Sequence, residues 1–186
     1  RMKRIVEDQI KDFTTEFPNG LIIGAESQNV GEEVKIELTD DTGAKDVVSL
    51  ADLQNFGQIY VLDGSAFFGI DLTKIVTISV LFLGAGSKHI RLDSGPFDFE
   101  QPVAPDPTLT TADITPLPLL SDGNRPDIVG FASEDAQQNP TATATVSKQT
   151  ATLVDIDYVG NDATSFGGAF ITYDLEATGG VLESID

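Results

Sequence analysis

The sequence predicts an all-β fold, an antiparallel β-sandwich preceded by one short N-terminal helix. Three observations predict it. About ten short runs rich in β-branched or aromatic residues follow residue 20. Apolar and polar residues alternate within several runs, and no helical pattern separates successive runs, as a parallel α/β sheet would require. The 186 residues, 40% hydrophobic and 22% charged, are enough for one folded domain with a sizeable core.

The first residues of the chain have the spacing of an amphipathic helix over residues 4–17. Apolar side chains recur every three or four positions there, at Ile5, Val6, Ile10, Phe13 and Phe17. Glu7 stands four residues before Lys11, a pair that supports a helix. Pro18, Asn19 and Gly20 then end the helix.

The predicted strands form two groups on either side of a proline-rich stretch. The first group covers residues 21–25, 33–38, 46–49, 58–62, 75–83 and 88–92, and the second covers 127–132, 142–148, 151–159 and 169–175. Seven prolines from Pro96 to Pro126 predict either a linker or a long crossover on the surface of a single domain. We interpret the chain as one domain, residues 1–186, with 96–126 as the crossover.

Alternation predicts which side chains are buried. The apolar member of each alternating pair should face the core, since successive side chains of a strand point to opposite sides. The predicted core contains Val34, Ile36, Leu38, Ile78, Val80, Phe82, Ile90, Val154 and Ile156.

Charge and composition exclude several classes of function. The formal net charge is -19, which repels nucleic-acid phosphates and anionic membrane surfaces. The longest apolar runs, such as residues 75–83, are too short to span a bilayer. The chain has no cysteine, which excludes disulfides and thiolate metal sites. We therefore expect neither nucleic-acid binding nor membrane insertion.

No catalytic motif is present, so the sequence predicts a protein that is not an enzyme. The single histidine, His89, lies in an alternating strand and has no nucleophile signature beside it, which is typical of a solvated strand residue. Gly84, Ala85 and Gly86 lack the Lys and Ser/Thr of a phosphate-binding loop and indicate a turn.

Oxygen ligands clustered in loops point to calcium as the one plausible cofactor. The clusters are Asp40 with Asp41, Asp122 with Asn124 and Asp127, and Asn161 with Asp162. For any one cluster, turn formation alone is the favoured explanation, since Asp and Asn are ordinary turn residues, but one bound cation among all the clusters stays an open expectation. We take Asp122, Asn124 and Asp127 as the candidate metal ligands.

The outward positions of the later strands suggest a polysaccharide surface. Alternation places Asp155 and Asp157 on one face of their strand, and Thr172 and Asp174 on one face of the next. These groups could accept hydrogen bonds from sugar hydroxyls while Tyr60 offered a stacking ring. An ordinary solvated sheet face has the same pattern, and this interpretation stays open beside the first.

Two stretches resemble a known family in reversed order. Residues 34–92, with KIELTDDTG, YVLDGSAFFGIDLTKIVTISVLFLGAG and HIRLD, resemble the last strands of jelly-roll carbohydrate-binding modules of the family 11 type and their galactose-binding-like relatives. Residues 119–186, with ATLVDIDYVG, GGAFITYDLEA and VLESID, resemble the opening strands. The resemblance implies an antiparallel jelly-roll β-sandwich whose closing half, residues 1–95, precedes its opening half, residues 127–186. It also implies that Asp186 leads towards Arg1.

This resemblance implies a non-catalytic carbohydrate-binding module of an extracellular or cell-surface protein, calcium-stabilised, with polysaccharide as its partner. The alternative is a structural or adhesive subunit of an extracellular filament or surface layer, which exchanges strands with copies of itself. An intracellular assembly factor on the same fold is a third hypothesis. Glycan binding would favour the first, and polymers in negative stain the second.

Overall fold

A computed structural model describes residues 12–16, 21–62, 64–93, 115–116, 128–149 and 153–172. It confirms the all-β prediction, because these residues form eleven strands, two short 3-10 turns at Gly64–Ala66 and Leu72–Lys74, and the four-residue helix α1, Phe13–Glu16. The strands are β1 Leu21–Ser27, β2 Glu32–Asp40, β3 Lys45–Leu53, β4 Gln58–Leu62, β5 Ile75–Leu83, β6 Gly86–Asp93, β7 Thr115–Pro116, β8 Val129–Ala132, β9 Ala142–Lys148, β10 Leu153–Gly160 and β11 Phe166–Thr172. Of the helices in this part of the chain, none has the length and apolarity that a bilayer-spanning segment needs.

The strands form two sheets. The first sheet has the order β4-β1-β6-β10-β9, with β7 parallel to the start of β1, and the second sheet has the order β3-β2-β5-β11-β8. Apart from β7, neighbouring strands run antiparallel. The buried side chains of the two sheets meet between them, as in a β-sandwich.

Both sheets combine strands from either side of the proline-rich stretch. In the first sheet, β6 pairs with β10 from Gly86 opposite Gly160 to Asp93 opposite Leu153. In the second sheet, β5 pairs with β11 from Thr77 opposite Thr172 to Leu83 opposite Phe166. The early and late parts of the chain therefore share both sheets and one hydrophobic cluster.

The predicted core residues are confirmed. All nine are at most 1% exposed. The structure adds Tyr158, which is fully buried and stacks on Phe82 with 5.4 Å between ring centroids. Its hydroxyl donates a 2.8 Å hydrogen bond to the carbonyl oxygen of Gly84. That bond gives the phenol a partner, without which its burial would be costly.

Most strand boundaries differ from the predicted ones by one to four residues, and β7 was not predicted. The predicted last strand began at residue 169, but β11 begins at Phe166. Gly167 and Gly168 concealed its start, because glycine is depleted in strands. A Cβ on Gly168 would lie 1.8 Å from the carbonyl oxygen of Val80, so this pairing admits only glycine. The structure describes only residues 12–16 of the predicted helix over residues 4–17. Within them, Phe13–Glu16 are helical and Phe13 is buried.

Asp12 precedes α1 and stabilises its start. One of its carboxylate oxygens, Oδ1, accepts hydrogen bonds from the backbone N–H groups of Thr14 and Thr15. These are donors that the first turn of a helix leaves without an intrahelical partner.

The predicted approach of Asp186 towards Arg1 lies outside the described residues.

Replacing Gly168 tests the pairing of β5 with β11. We expect Gly168→Ala to lower the free energy of unfolding by about 3 kcal/mol, because the added methyl group collides with backbone that cannot move alone. Gly64→Ala is the control, since its Cβ would meet only the side-chain tip of Leu72 at 3.4 Å. Urea denaturation of both variants measures the difference. Equal stability of the two would contradict the pairing.

Candidate functional site

Charged side chains cross the outward side of the first sheet in one row. Glu26 of β1 lies opposite Arg91 of β6, and Arg91 lies opposite Asp155 of β10. Two residues away on each of these strands, His89 of β6 lies opposite Asp157 of β10. Directly opposite residues of antiparallel strands share a face, so all five project from the same side. We call Glu26, His89, Arg91, Asp155 and Asp157 the polar face.

Arg91 is held in place by two carboxylates. Its Nε donates to Oδ1 of Asp155 at 2.8 Å, and its Nη1 donates to Oε1 of Glu26 at 3.1 Å. The Asp155 side chain is only 8% exposed, whereas that of Arg91 is 37% exposed. The hydrogen bond to Asp155 is the main reason that the pKa of Arg91 is raised. The guanidinium thus compensates a buried carboxylate and keeps part of its own surface accessible.

His89 is held beside this row by the carboxylate of Asp157. Its Nδ1 lies 2.8 Å from Oδ1 of Asp157, and its Nε2 lies 3.8 Å from Oδ1 of Asp155. An ionised carboxylate only accepts hydrogen bonds, so Nδ1 is the donor. Asp157 is the most open member, with 57% of its side chain exposed. His89 is therefore half-buried and hydrogen-bonded, rather than merely solvated as its sequence context suggested.

The polar face continues onto the edge strand β9. Thr145 lies opposite Asp157, and Ser147 lies opposite Asp155, so two hydroxyl groups extend the row. Glu26, Arg91, Asp155 and Ser147 consequently occupy one line across four neighbouring strands.

The structure brings together only some of the predicted polysaccharide ligands. Asp155 and Asp157 share the polar face as expected. Tyr60 does not join them, because it lies opposite the buried Ile23, packs against the core cluster and donates from its hydroxyl to Gln58 at 2.8 Å. Thr172 ends β11, which belongs to the second sheet, whereas Asp155 and Asp157 belong to the first.

The side chain of Thr172 and all of Asp174 lie outside the described residues. Because β10 and β11 belong to different sheets, the structure gives no support for one surface that combines their side chains, and the binding roles of Thr172 and Asp174 stay predictions. Alternation assigns faces within a strand and does not reveal which strands share a sheet.

Glu26, His89 and Arg91 were missed as members of the site, although the sequence contains a signal for two of them. His89 and Arg91 are two residues apart, as are Asp155 and Asp157. Two strands with complementary charges at the same spacing can pair every charge across an antiparallel ladder. Glu26 gives no comparable signal.

Two of the three acidic clusters considered for calcium form turns. Oδ1 of the buried Asp40 accepts hydrogen bonds from both N and Oγ1 of Thr42 and from N of Ala44, and Oδ2 accepts one from N of Asp71 at 2.9 Å. Asp162 accepts bonds from Thr164 in the same manner. These bonds lower the pKa of both carboxyls, with the Thr42 and Thr164 side chains as the largest causes.

Within the part of the chain that the structure describes, no group of three or more His, Asp or Glu side chains is arranged to hold a metal ion. Asp122, Asn124 and Asp127 lie outside that part, so the calcium site predicted there stays a prediction.

Comparisons with protein-family models, with curated proteins and with solved structures give no significant match.

Asp40→Asn tests the carboxylate that ties the β2–β3 turn to Asp71. We expect the free energy of unfolding at neutral pH to fall by about 1–3 kcal/mol, because an amide cannot satisfy all the donors that a carboxylate accepts. Asp41→Asn is the control. That side chain is more exposed and lies 3.6 Å from Lys74, so we expect a loss below about 1 kcal/mol.

The stability of Asp40→Asn relative to the wild type should also depend on pH. The folded-state pKa of Asp40 lies below its ordinary value of 3.8, so its stabilisation is complete above that value and is lost as the pH falls through the folded-state pKa. The stability difference between wild type and Asp40→Asn should shrink as the pH falls below the ordinary value. A difference that is constant with pH would contradict this role.

Proposed function

We propose that this protein is a non-catalytic, carbohydrate-binding module that holds a polysaccharide against the polar face. The observation that carries the proposal is the row of Glu26, Arg91 and Asp155 across three adjacent strands, with His89 and Asp157 beside it. Four of these side chains are at least 24% exposed and are already fixed by mutual hydrogen bonds.

Sugar hydroxyl groups suit this set of partners. Each hydroxyl both donates and accepts, while the row alternates acceptor carboxylates with the donor groups of Arg91 and His89. Placement on strands adds to the affinity, since side chains locked by neighbours lose little freedom when a ligand binds. Thr145 and Ser147 would lengthen the surface along a chain of sugar units.

The charge of this side favours an uncharged polysaccharide over an acidic one. Among the described residues, the outward side of the first sheet carries the carboxylates of Glu26, Asp155 and Asp157 and the guanidinium of Arg91. A uronic acid or sulfated polymer would be repelled, as would nucleic acid. The hydroxyl groups of a neutral polysaccharide would not be repelled.

The partners of His89 support binding rather than catalysis. Among the described residues the ring of His89 is hydrogen-bonded to Asp157 and to no serine or threonine hydroxyl. A nucleophile–base pair needs such a contact. We further propose, from the resemblance to extracellular modules, that the protein acts outside the cell or at its surface.

Strand exchange in a filament or surface layer is the alternative. It would use the edge strands of the two sheets, β3, β4, β8 and β9. The pairings of β6 with β10 and of β5 with β11 within one chain favour the self-contained module, because each half already has its partner strand. Long polymers in negative stain would support the alternative.

Asp157→Asn tests the site without threatening the fold, since this side chain is 57% exposed. We expect it to weaken binding of a neutral polysaccharide about tenfold, as measured by affinity electrophoresis or calorimetry against a panel of soluble glucans, mannans and xylans. Arg91→Lys should weaken binding at least as much, because lysine lacks the planar fork that meets Asp155 and Glu26.

Asp41→Asn is the matched control, because it removes the same charge at a position away from the polar face. We expect it to bind like the wild type. If no member of the panel binds, or if Asp157→Asn and Asp41→Asn bind equally, the proposal is wrong.

A further inference from the structure

The outward side of the second sheet is apolar over three neighbouring strands, except for Thr77 and Ser79 in the first half of β5. Core residues such as Val80, Phe82 and Ala169 face inward, so the residues between them face outward. We call this outward set the apolar face, and it consists of Leu81, Leu83, Val129, Phe131, Phe166 and Phe170. Leu83 and Phe166 are each 46% exposed, and Val129 is 49% exposed.

These side chains are contiguous. Leu83 lies opposite Phe166, and Phe170 lies opposite Val129. The rings of Phe131 and Phe170 meet edge to face, with 5.8 Å between centroids. Adjacent strands thus present one continuous apolar surface, of the kind that marks interaction sites on soluble proteins.

Charge distinguishes this side of the molecule from the other. On the second sheet, the described charges beside this face lie on β2 and β3 and are mixed in sign, with Glu33, Glu37 and Asp52 against Lys35 and Lys45. On the first sheet, the three described carboxylates Glu26, Asp155 and Asp157 outnumber the one cation that pairs with them, Arg91. In a chain of net charge -19, the apolar face and the mixed charges beside it on β2 and β3 form a side on which like-charge repulsion between two copies is weaker than on the polar face.

We propose that the apolar face binds a second copy of this chain, with the two second sheets packed face to face around a twofold axis. An apolar centre without charges and a margin of mixed sign is the usual composition of such an interface. The margin is self-complementary, because Glu33, Lys35 and Glu37 alternate in sign along β2. Among the described residues, Lys35 has no carboxylate at ion-pair distance within its own chain.

The dependence of binding on salt concentration should show whether the partner is a second copy or a different protein. Two copies repel through their net negative charge and attract through apolar contact, so added salt screens the repulsion and strengthens association. A basic protein docked on this acidic chain would instead dissociate as salt is added. The dimer leaves the polar face of each copy open, so it is independent of the polysaccharide proposal.

Analytical ultracentrifugation of the whole chain across a dilution series tests the proposal. We expect a monomer–dimer equilibrium whose dissociation constant falls as sodium chloride is raised. Phe166→Lys should raise that constant at least about tenfold, since a buried charge without a partner opposes association. Phe56→Lys is the matched control, because Phe56 is also 46% exposed but lies in the β3–β4 loop, and we expect no change.

Circular dichroism and thermal melting verify that both variants keep the fold. A wild type that stays monomeric at the highest concentration in high salt would overturn the proposal. Equal effects of Phe166→Lys and Phe56→Lys would also overturn it. So would a loss of polysaccharide binding in Phe166→Lys with no change in mass, which would assign the apolar face to the sugar instead.

Discussion

Two antiparallel pairings, β6 with β10 and β5 with β11, join strands that lie far apart in the chain, and both candidate surfaces depend on them. The first pairing places Arg91 opposite Asp155 and His89 opposite Asp157. The second places Leu83 opposite Phe166. Because opposite residues share a face, a shift of either register by one residue would exchange inward and outward side chains along a whole strand. The core constrains the register, since Ile90 and Ile156 must meet inside if Arg91 and Asp155 are to meet outside.

The two outward surfaces differ because the first sheet carries paired charged side chains and the second carries apolar ones. On the first sheet, a nearly buried carboxylate, Asp155, needs a cation, and Arg91 supplies it while reaching Glu26 as well. The result is a charged surface whose groups are already hydrogen-bonded and oriented. On the second sheet, Gly168 brings β11 close to β5, and its apolar neighbours have no charged residue among them. One surface suits hydroxyl groups, and the other suits a hydrophobic partner.

Alternation explains how much could be predicted from the sequence. It identified the core because Val34, Ile36 and Leu38 each stand between polar neighbours. It failed for Tyr60, since Ile59, Val61 and Leu62 around it are also apolar and do not define a face. It missed Glu26, which follows a run of small and apolar residues in β1. Asp40 illustrates a different limit. Its carboxylate suggested a metal, and only the structure shows four hydrogen-bond donors around it.

Native-state hydrogen exchange tests whether strands from the two sides of the proline-rich stretch form one cooperative sandwich. If they do, backbone amides of β5, β6, β10 and β11 will exchange only through the same global opening, and their opening free energies will agree and fall in parallel as urea is added. If amides of β10 and β11 exchange in an opening that leaves β5 and β6 protected, the two parts of the chain are separate folding units. That result would contradict the shared core and both surfaces built upon it.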